Sequence, residues 1–146
     1  MDSDQLALDA DLIGVMRAAV TSALENGTTF VAPAHVVLGL LADPRIGPAI
    51  AALIPRERVR QAAADAQQEL PEVDTVAFLS RDGAESLYLD ADAFRIFVEG
   101  ARRAGGTYRA KHLVFALTAE AVKERELLEL VGHDPQGVTK AVDALD

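Results

Sequence analysis

The sequence has no cysteine and no tryptophan, only two tyrosines and five phenylalanines, and three lysines against eleven arginines. Without cysteine there is no thiol nucleophile, no thiolate-bound zinc or iron–sulfur cluster and no disulfide framework. A reducing cytoplasm is therefore the expected location. No apolar run approaches the roughly 18 residues that a membrane span needs, and Asp2, Asp4, Asp9 and Asp11 stand where a secretory leader would carry basic residues. Neither a membrane nor nucleic acid is an expected partner: a net charge of -9 opposes a phosphate backbone, which is bound chiefly through Lys and Arg. Also missing are a Gly-x-x-x-x-Gly-Lys-Ser/Thr phosphate loop, a Gly-x-Ser-x-Gly elbow, a His-Glu-x-x-His pair and a dinucleotide glycine fingerprint. The expectation is a protein that is not an enzyme and needs no cofactor. The excess of Arg over Lys and the many alanines fit a GC-rich bacterial genome.

What is present is a helical period interrupted once. A length of 146 residues suits one domain, able to bury roughly 68–70% of its unfolded surface without cross-links. Asp9 or Asp11 can accept hydrogen bonds from the free amides of a helix start, and Leu12, Val15, Met16, Ala19, Val20, Ala23 and Leu24 then recur at three and four until Gly27. Pro33 suits the first turn of a second helix that Asp43-Pro44 ends. Its run His35 to Leu41 is apolar all round, compatible with a buried strand or a buried helix; Gly39 and Ala42, suited to close helix packing, favour helix. Gly47-Pro48 and Pro55 open a third and a fourth helix.

From Glu72 to Tyr88 the helical period disappears. Thr75–Leu79 and Glu85–Tyr88 flank Ser80-Arg81-Asp82-Gly83, and Asp-Gly is a hairpin turn signal, so a small hairpin or an ordered linker is expected. Leu87-Tyr88-Leu89-Asp90-Ala91-Asp92 then echoes Leu6-Ala7-Leu8-Asp9-Ala10-Asp11, and four more helices follow, the last opened by Asp134-Pro135. The architecture read from this is all-α: eight helices in two pseudo-symmetric sets of four. Repeat one covers about 6–71, a linker about 72–86, and repeat two about 87–146.

Phe30 to Leu41 returns in altered form at Tyr108 to Leu117, each copy built around a histidine, His35 or His112. With Gly27 and Phe30 before the first copy and Leu127-Leu128-Glu129-Leu130-Val131-Gly132-His133-Asp134 after the second, the pattern resembles the double Clp-N repeat. That is the N-terminal domain carried at the front of Clp/Hsp100 unfoldases. The likeness spans nearly the whole chain and departs most at Thr75–Tyr88. It implies a module that docks adaptors and protein substrates, here without the AAA+ ATPase. Adaptor, competitor or scavenger in Clp-dependent protein quality control are the roles implied, with an Hsp100 unfoldase or its substrates as partner. The alternative is a small-molecule or peptide-antibiotic binder using the same groove.

Some members of that family read phosphorylated arginine through a Glu just before each motif histidine. Here those positions are Ala34 and Lys111, so binding in that manner is not expected. Pro33, Ala34, Arg109 and Lys111 are the candidate docking residues. Lys111 and Arg109, at the positive end of a helix, favour acidic groups or a C-terminal carboxylate, while Pro33 and Ala34 favour apolar ones. His35 and His112 could form a metal or catalytic pair if the halves met, but a buried structural role is the simpler reading of each. The pairs Asp9/Asp11 and Asp90/Asp92 read as helix caps rather than cation ligands, since they lack the further oxygens and glycine of a calcium loop. Arg56, Arg58 and Arg60 read as a solvated face.

Overall fold

The structure, a computed structural model, describes residues 7–69, 71–80 and 83–145. Asp2, Asp4, Leu6, Leu70 and the Arg81-Asp82 half of the expected turn lie outside the described residues. Among those described, eight α-helices and two strands follow in the order α1 Ala10–Glu25, α2 Pro33–Ala42, α3 Ile46–Ile50, α4 Arg56–Asp65, β1 Val73–Ser80, β2 Gly83–Asp90, α5 Ala91–Ala104, α6 Ala110–Lys123, α7 Arg125–Val131 and α8 Pro135–Asp143.

The expected starts and stops hold for most helices. α1 buries Leu12, Val15, Met16, Ala19 and Ala23, one stripe at helical spacing, and ends before Gly27 at φ +78°. α2 begins at Pro33 and buries seven of its ten residues, because α1, α3, α4, α5 and α7 all lie against it. The run that could have been a strand is thus a helix enclosed by others. α3 is short, Ile46–Ile50, and begins one residue before the Gly47-Pro48 pair. A single 3-10 turn, Ala66–Gln68, extends α4. α5 starts on the Asp90 carboxylate, which accepts from the Ala93 amide, and α8 starts on Asp134, which accepts from Gly137.

The all-α class needs one correction. β1 and β2 form an antiparallel hairpin in the register Val73↔Asp90 through Ser80↔Gly83, longer at both ends than the sequence indicates. Alternation explains why it is structural: Val76, Phe78, Leu87 and Leu89 point inward and join the helical core, while Thr75, Ala77 and Ser86 face out. Val73, Leu79 and Tyr88 face out as well, so the alternation between an apolar inner face and a polar outer one is broken, and this hides the strand signal from a helical reading.

Two isolated parallel bridges tie the elements together. Leu8, just before α1, pairs with Tyr108, just before α6; Val31, just before α2, pairs with Leu89, just before α5. Tyr108 is the largest fully buried side chain. Its hydroxyl donates to the Phe97 carbonyl at 2.8 Å, and its ring lies 5.0 Å from that of Phe97 over Gly100, where a Cβ would come within 2.0 Å of the hydroxyl oxygen.

Candidate functional site

Both motif helices begin in the same way. Position N3 of α2 is His35, whose Nδ1 accepts the Ala32 amide at 2.9 Å; position N3 of α6 is His112, whose Nδ1 accepts the Arg109 amide at 3.0 Å. A side chain at N3 reaching back to the N-cap amide is half of a capping box, a role more often filled by Glu or Gln. The other half is absent at Ala32, which has no side-chain acceptor. Accepting at Nδ1 places the proton of the neutral ring on Nε2. His35 is fully buried, and burial lowers its pKa, against which the Ala63 carbonyl pulls the other way; its Nε2 has no well-formed hydrogen bond. His112 lies between the rings of Tyr108 and Phe115. Each imidazole therefore serves the start of its own helix. Among the described residues no group of three or more side chains is arranged to hold a metal ion.

The acidic pairs do not cap as symmetrically as their sequence echo implies. Asp90 caps α5, but the Asp9 side chain makes no such bond to α1. Asp11 instead accepts the amide of Ala110, the first residue of α6, at 3.1 Å. Burial, with Asp9 beside it, raises the Asp11 pKa, although the Ala110 amide opposes that. Counted from the histidines, the residue matching Ala110 is Pro33, and proline has no amide hydrogen to offer. Asp92, the counterpart of Asp11, is turned instead to Arg95 at 3.1 Å.

That difference shapes two separate clefts. The first, about 320 Å³, opens at the start of α2. Pro33 and Ala34 are both buried and line it with Leu127 and Leu130. Three further alanines and Gln61 complete its neutral lining, and every charged group but one is acidic: Asp65, Glu69, Asp90, Asp92, Glu124, Glu126 and Glu129 face a single lining cation, Arg58, which is paired to Glu129 at 2.5 Å. Arg95, from outside the lining, reaches Asp92 and Glu124. Asp90 is 7% exposed, and burial, with Asp92 and Glu69 close by, raises its pKa to about 6 against the pull of the Ala93 amide. Pro33 and Ala34 alone pointed to an apolar preference; the residues folded around them are carboxylates.

The second cleft, about 410 Å³, opens at the start of α6 and is lined by Arg109 and Lys111 together with Asp11, Asp43 and Arg45. Arg109 lies 3.8 Å from Asp9 and 3.9 Å from Asp11, and Arg45 donates to the Leu145 carbonyl. The candidate docking residues thus fall in two places, Pro33 and Ala34 in one and Arg109 and Lys111 in the other. Apart from Asp90 and Asp92, read as a cap pair, the carboxylates of the first cleft escaped the sequence reading because they come from α4, the turn after it and α7. No local spacing links them, and the net charge was their only trace.

No family model and no curated protein matches the sequence. Twelve chains of solved structures match the fold. One is the N-terminal domain of the caseinolytic protease associated chaperone ClpD from Arabidopsis thaliana, at 18% identity and a TM-score of 0.61, covering 99% of this chain and 96% of that one. The capped helices, the buried hairpin and the two clefts therefore belong to a chain that has the fold of a Clp N-terminal domain.

Proposed function

We propose that the protein is a non-enzymatic docking module for protein or peptide partners, working as adaptor, competitor or scavenger in Clp-dependent protein quality control. The observation that carries the reading is the cleft at the start of α2, where seven carboxylates, two of them paired to Arg95 at its margin, meet one paired lining arginine on an apolar floor. Such a lining favours a segment bearing Lys or Arg, with attraction that falls as salt rises. Two duplicated halves are part of the same proposal. The crossed bridges Leu8–Tyr108 and Val31–Leu89 support it, as do the matching histidine caps. The acidic, polar walls of this cleft suit a charged peptide better than an apolar small molecule.

The test is fluorescence anisotropy with labelled peptides of opposite charge. Glu69 and Glu126 are exposed and hold no helix cap. Each charge reversal, Glu69→Lys or Glu126→Lys, should weaken a Lys/Arg-rich peptide by about tenfold, roughly 1.4 kcal/mol, and leave an acidic peptide unaffected. Equal affinity for both peptides in the wild type would remove the charge argument.

The cleft at the start of α6 is the proposed place for an acidic group or a C-terminal carboxylate. Arg109 and Lys111 at a helix start favour it, while Asp9 and Asp11 beside Arg109 hold the affinity down. Lys111→Glu should weaken an acidic peptide several-fold and spare a basic one; an unchanged dissociation constant for the acidic peptide rules the site out.

A further inference from the structure

The hairpin has one edge in use and one open. On the β2 side, the Val31 amide donates to the Tyr88 carbonyl at 2.8 Å and the Asp90 amide donates to the Val31 carbonyl at 3.0 Å. Outward-pointing groups alternate along an antiparallel strand. The residues opposite Asp90 and Tyr88, and then every second residue, are Val73, Thr75, Ala77 and Leu79 of β1, so their amides and carbonyls turn away from β2. Among the described residues none of those four makes a hydrogen bond on that side.

Folded proteins usually protect such an edge with Lys, Pro, a bulge or a covering segment. Val73–Ser80 contains no Lys, Arg or Pro, pairs with β2 without a bulge, and carries a single charge, Asp74. Among the described residues the outer face of the ribbon carries one acidic residue, Asp90 opposite Val73, whose carboxylate is buried on the cap of α5; the exposed groups on that face are uncharged, and Leu79 and Val73 on it are 68% and 44% exposed.

We propose that this edge is a self-association surface, on which β1 of a second copy of this chain pairs antiparallel about a two-fold axis at Val76 to give a four-stranded sheet. That register is the one that uses all four outward residues: Val73 meets Leu79 of the second copy, Thr75 meets its Ala77, and the reverse pairs follow by symmetry. It places the two exposed apolar side chains of the strand against each other across the interface. It also sets each Asp74 opposite a Phe78 rather than the other Asp74. Charge opposes the approach of a second copy less here than at the carboxylate-lined cleft at the start of α2. At -9 each, two copies repel across most of their surface, whereas among the described residues the exposed groups on the outer face of this ribbon are uncharged.

Sedimentation velocity over a concentration series tests the proposal, independently of any docking partner. The wild type should dimerise, more tightly as salt screens the net charge. Leu79→Lys should weaken the dimer at least about tenfold. That substitution lowers the net negative charge, so a dimer limited only by general repulsion would tighten instead. Ala77→Pro blocks the edge at an amide that does not pair with β2 and should act in the same direction, with circular dichroism checking the fold. Val122→Lys, at a residue 69% exposed on α6, should leave the dimer intact. A wild type that stays monomeric throughout, or a Leu79→Lys variant that dimerises as tightly as wild type, overturns the proposal.

Discussion

Gly39→Ala should lower the melting temperature by about 4–8 °C, although it replaces a helix-interior glycine with the best helix former. Propensity alone would stabilise by about 1 kcal/mol. The opposite sign follows from the crossing of α1 and α2. A Cβ on Gly39 would stand 2.4 Å from the Val15 carbonyl oxygen and 3.1 Å from the Ala19 amide nitrogen, both backbone atoms of α1. Neither can rotate aside, so the helices must separate, and the contacts around Val15, Ala19 and Leu40 loosen with them. Overpacking of this kind costs about 3 kcal/mol, about 2 after the propensity gain, and a chain of this size loses roughly 2–4 °C per kcal/mol. Gly14 provides the contrast. It is exposed in the middle of α1, and a Cβ there meets nothing within 4 Å, so Gly14→Ala should stabilise by about 0.5–1 kcal/mol. Calorimetric scans of the two variants check both signs. If Gly39→Ala melts with the wild type, the two backbones do not approach this closely.

The close crossing was legible before the structure, because a glycine and a short alanine within an apolar run suit helices that touch. So were most helix ends, each fixed by a residue whose effect is local: Pro33, Gly27 and the Asp134-Pro135 pair. Of the histidine caps, His35 was legible as a buried group, whereas His112 is only half-buried. Their geometry needs the position of the N-cap amide three residues back, and His is rarely read as the reaching partner. The hairpin announced itself through the Asp-Gly signal but not its length, since Gly83, Ala84 and Ser86 of β2 and Asp74 of β1 carry little strand signal. Illegible altogether was the acidity of the first cleft. It depends on Pro33 having no amide for Asp92 and on α7 bringing Glu124, Glu126 and Glu129 to the start of α2. These are long-range facts of packing.

Asp90→Asn should stabilise the protein by about 2–3 kcal/mol at pH 7.5 and by almost nothing below pH 4. The native carboxyl titrates near 6 rather than at its ordinary 3.8, because burial, Asp92 and Glu69 all disfavour its charge. A carboxyl whose pKa is raised on folding binds its proton more tightly in the native state. The native state is therefore favoured as pH falls from above 6 to below 3.8, and it carries an unfavourable charge above 6. Every tenfold gain in proton affinity on folding is worth about 1.4 kcal/mol, which sets the expected size. Asparagine keeps an oxygen for the Ala93 amide, so the cap of α5 survives the substitution. Glu85, Glu99 and Glu129 act in the reverse direction. They are held below the ordinary carboxylate range by Arg17, Arg102 and Arg58, and their stabilisation is lost as pH falls. The difference between wild type and variant in urea unfolding at each pH removes their contribution and isolates Asp90. A difference that stays constant from pH 4 to pH 7.5 would show that Asp90 titrates normally. The same unfavourable charge bears on binding, for a cationic segment in the cleft would relieve it. Affinity for a Lys/Arg-rich peptide should then rise as pH passes through about 6, and Asp90→Asn should flatten that rise; if both proteins follow one pH profile, the peptide does not sense this carboxylate.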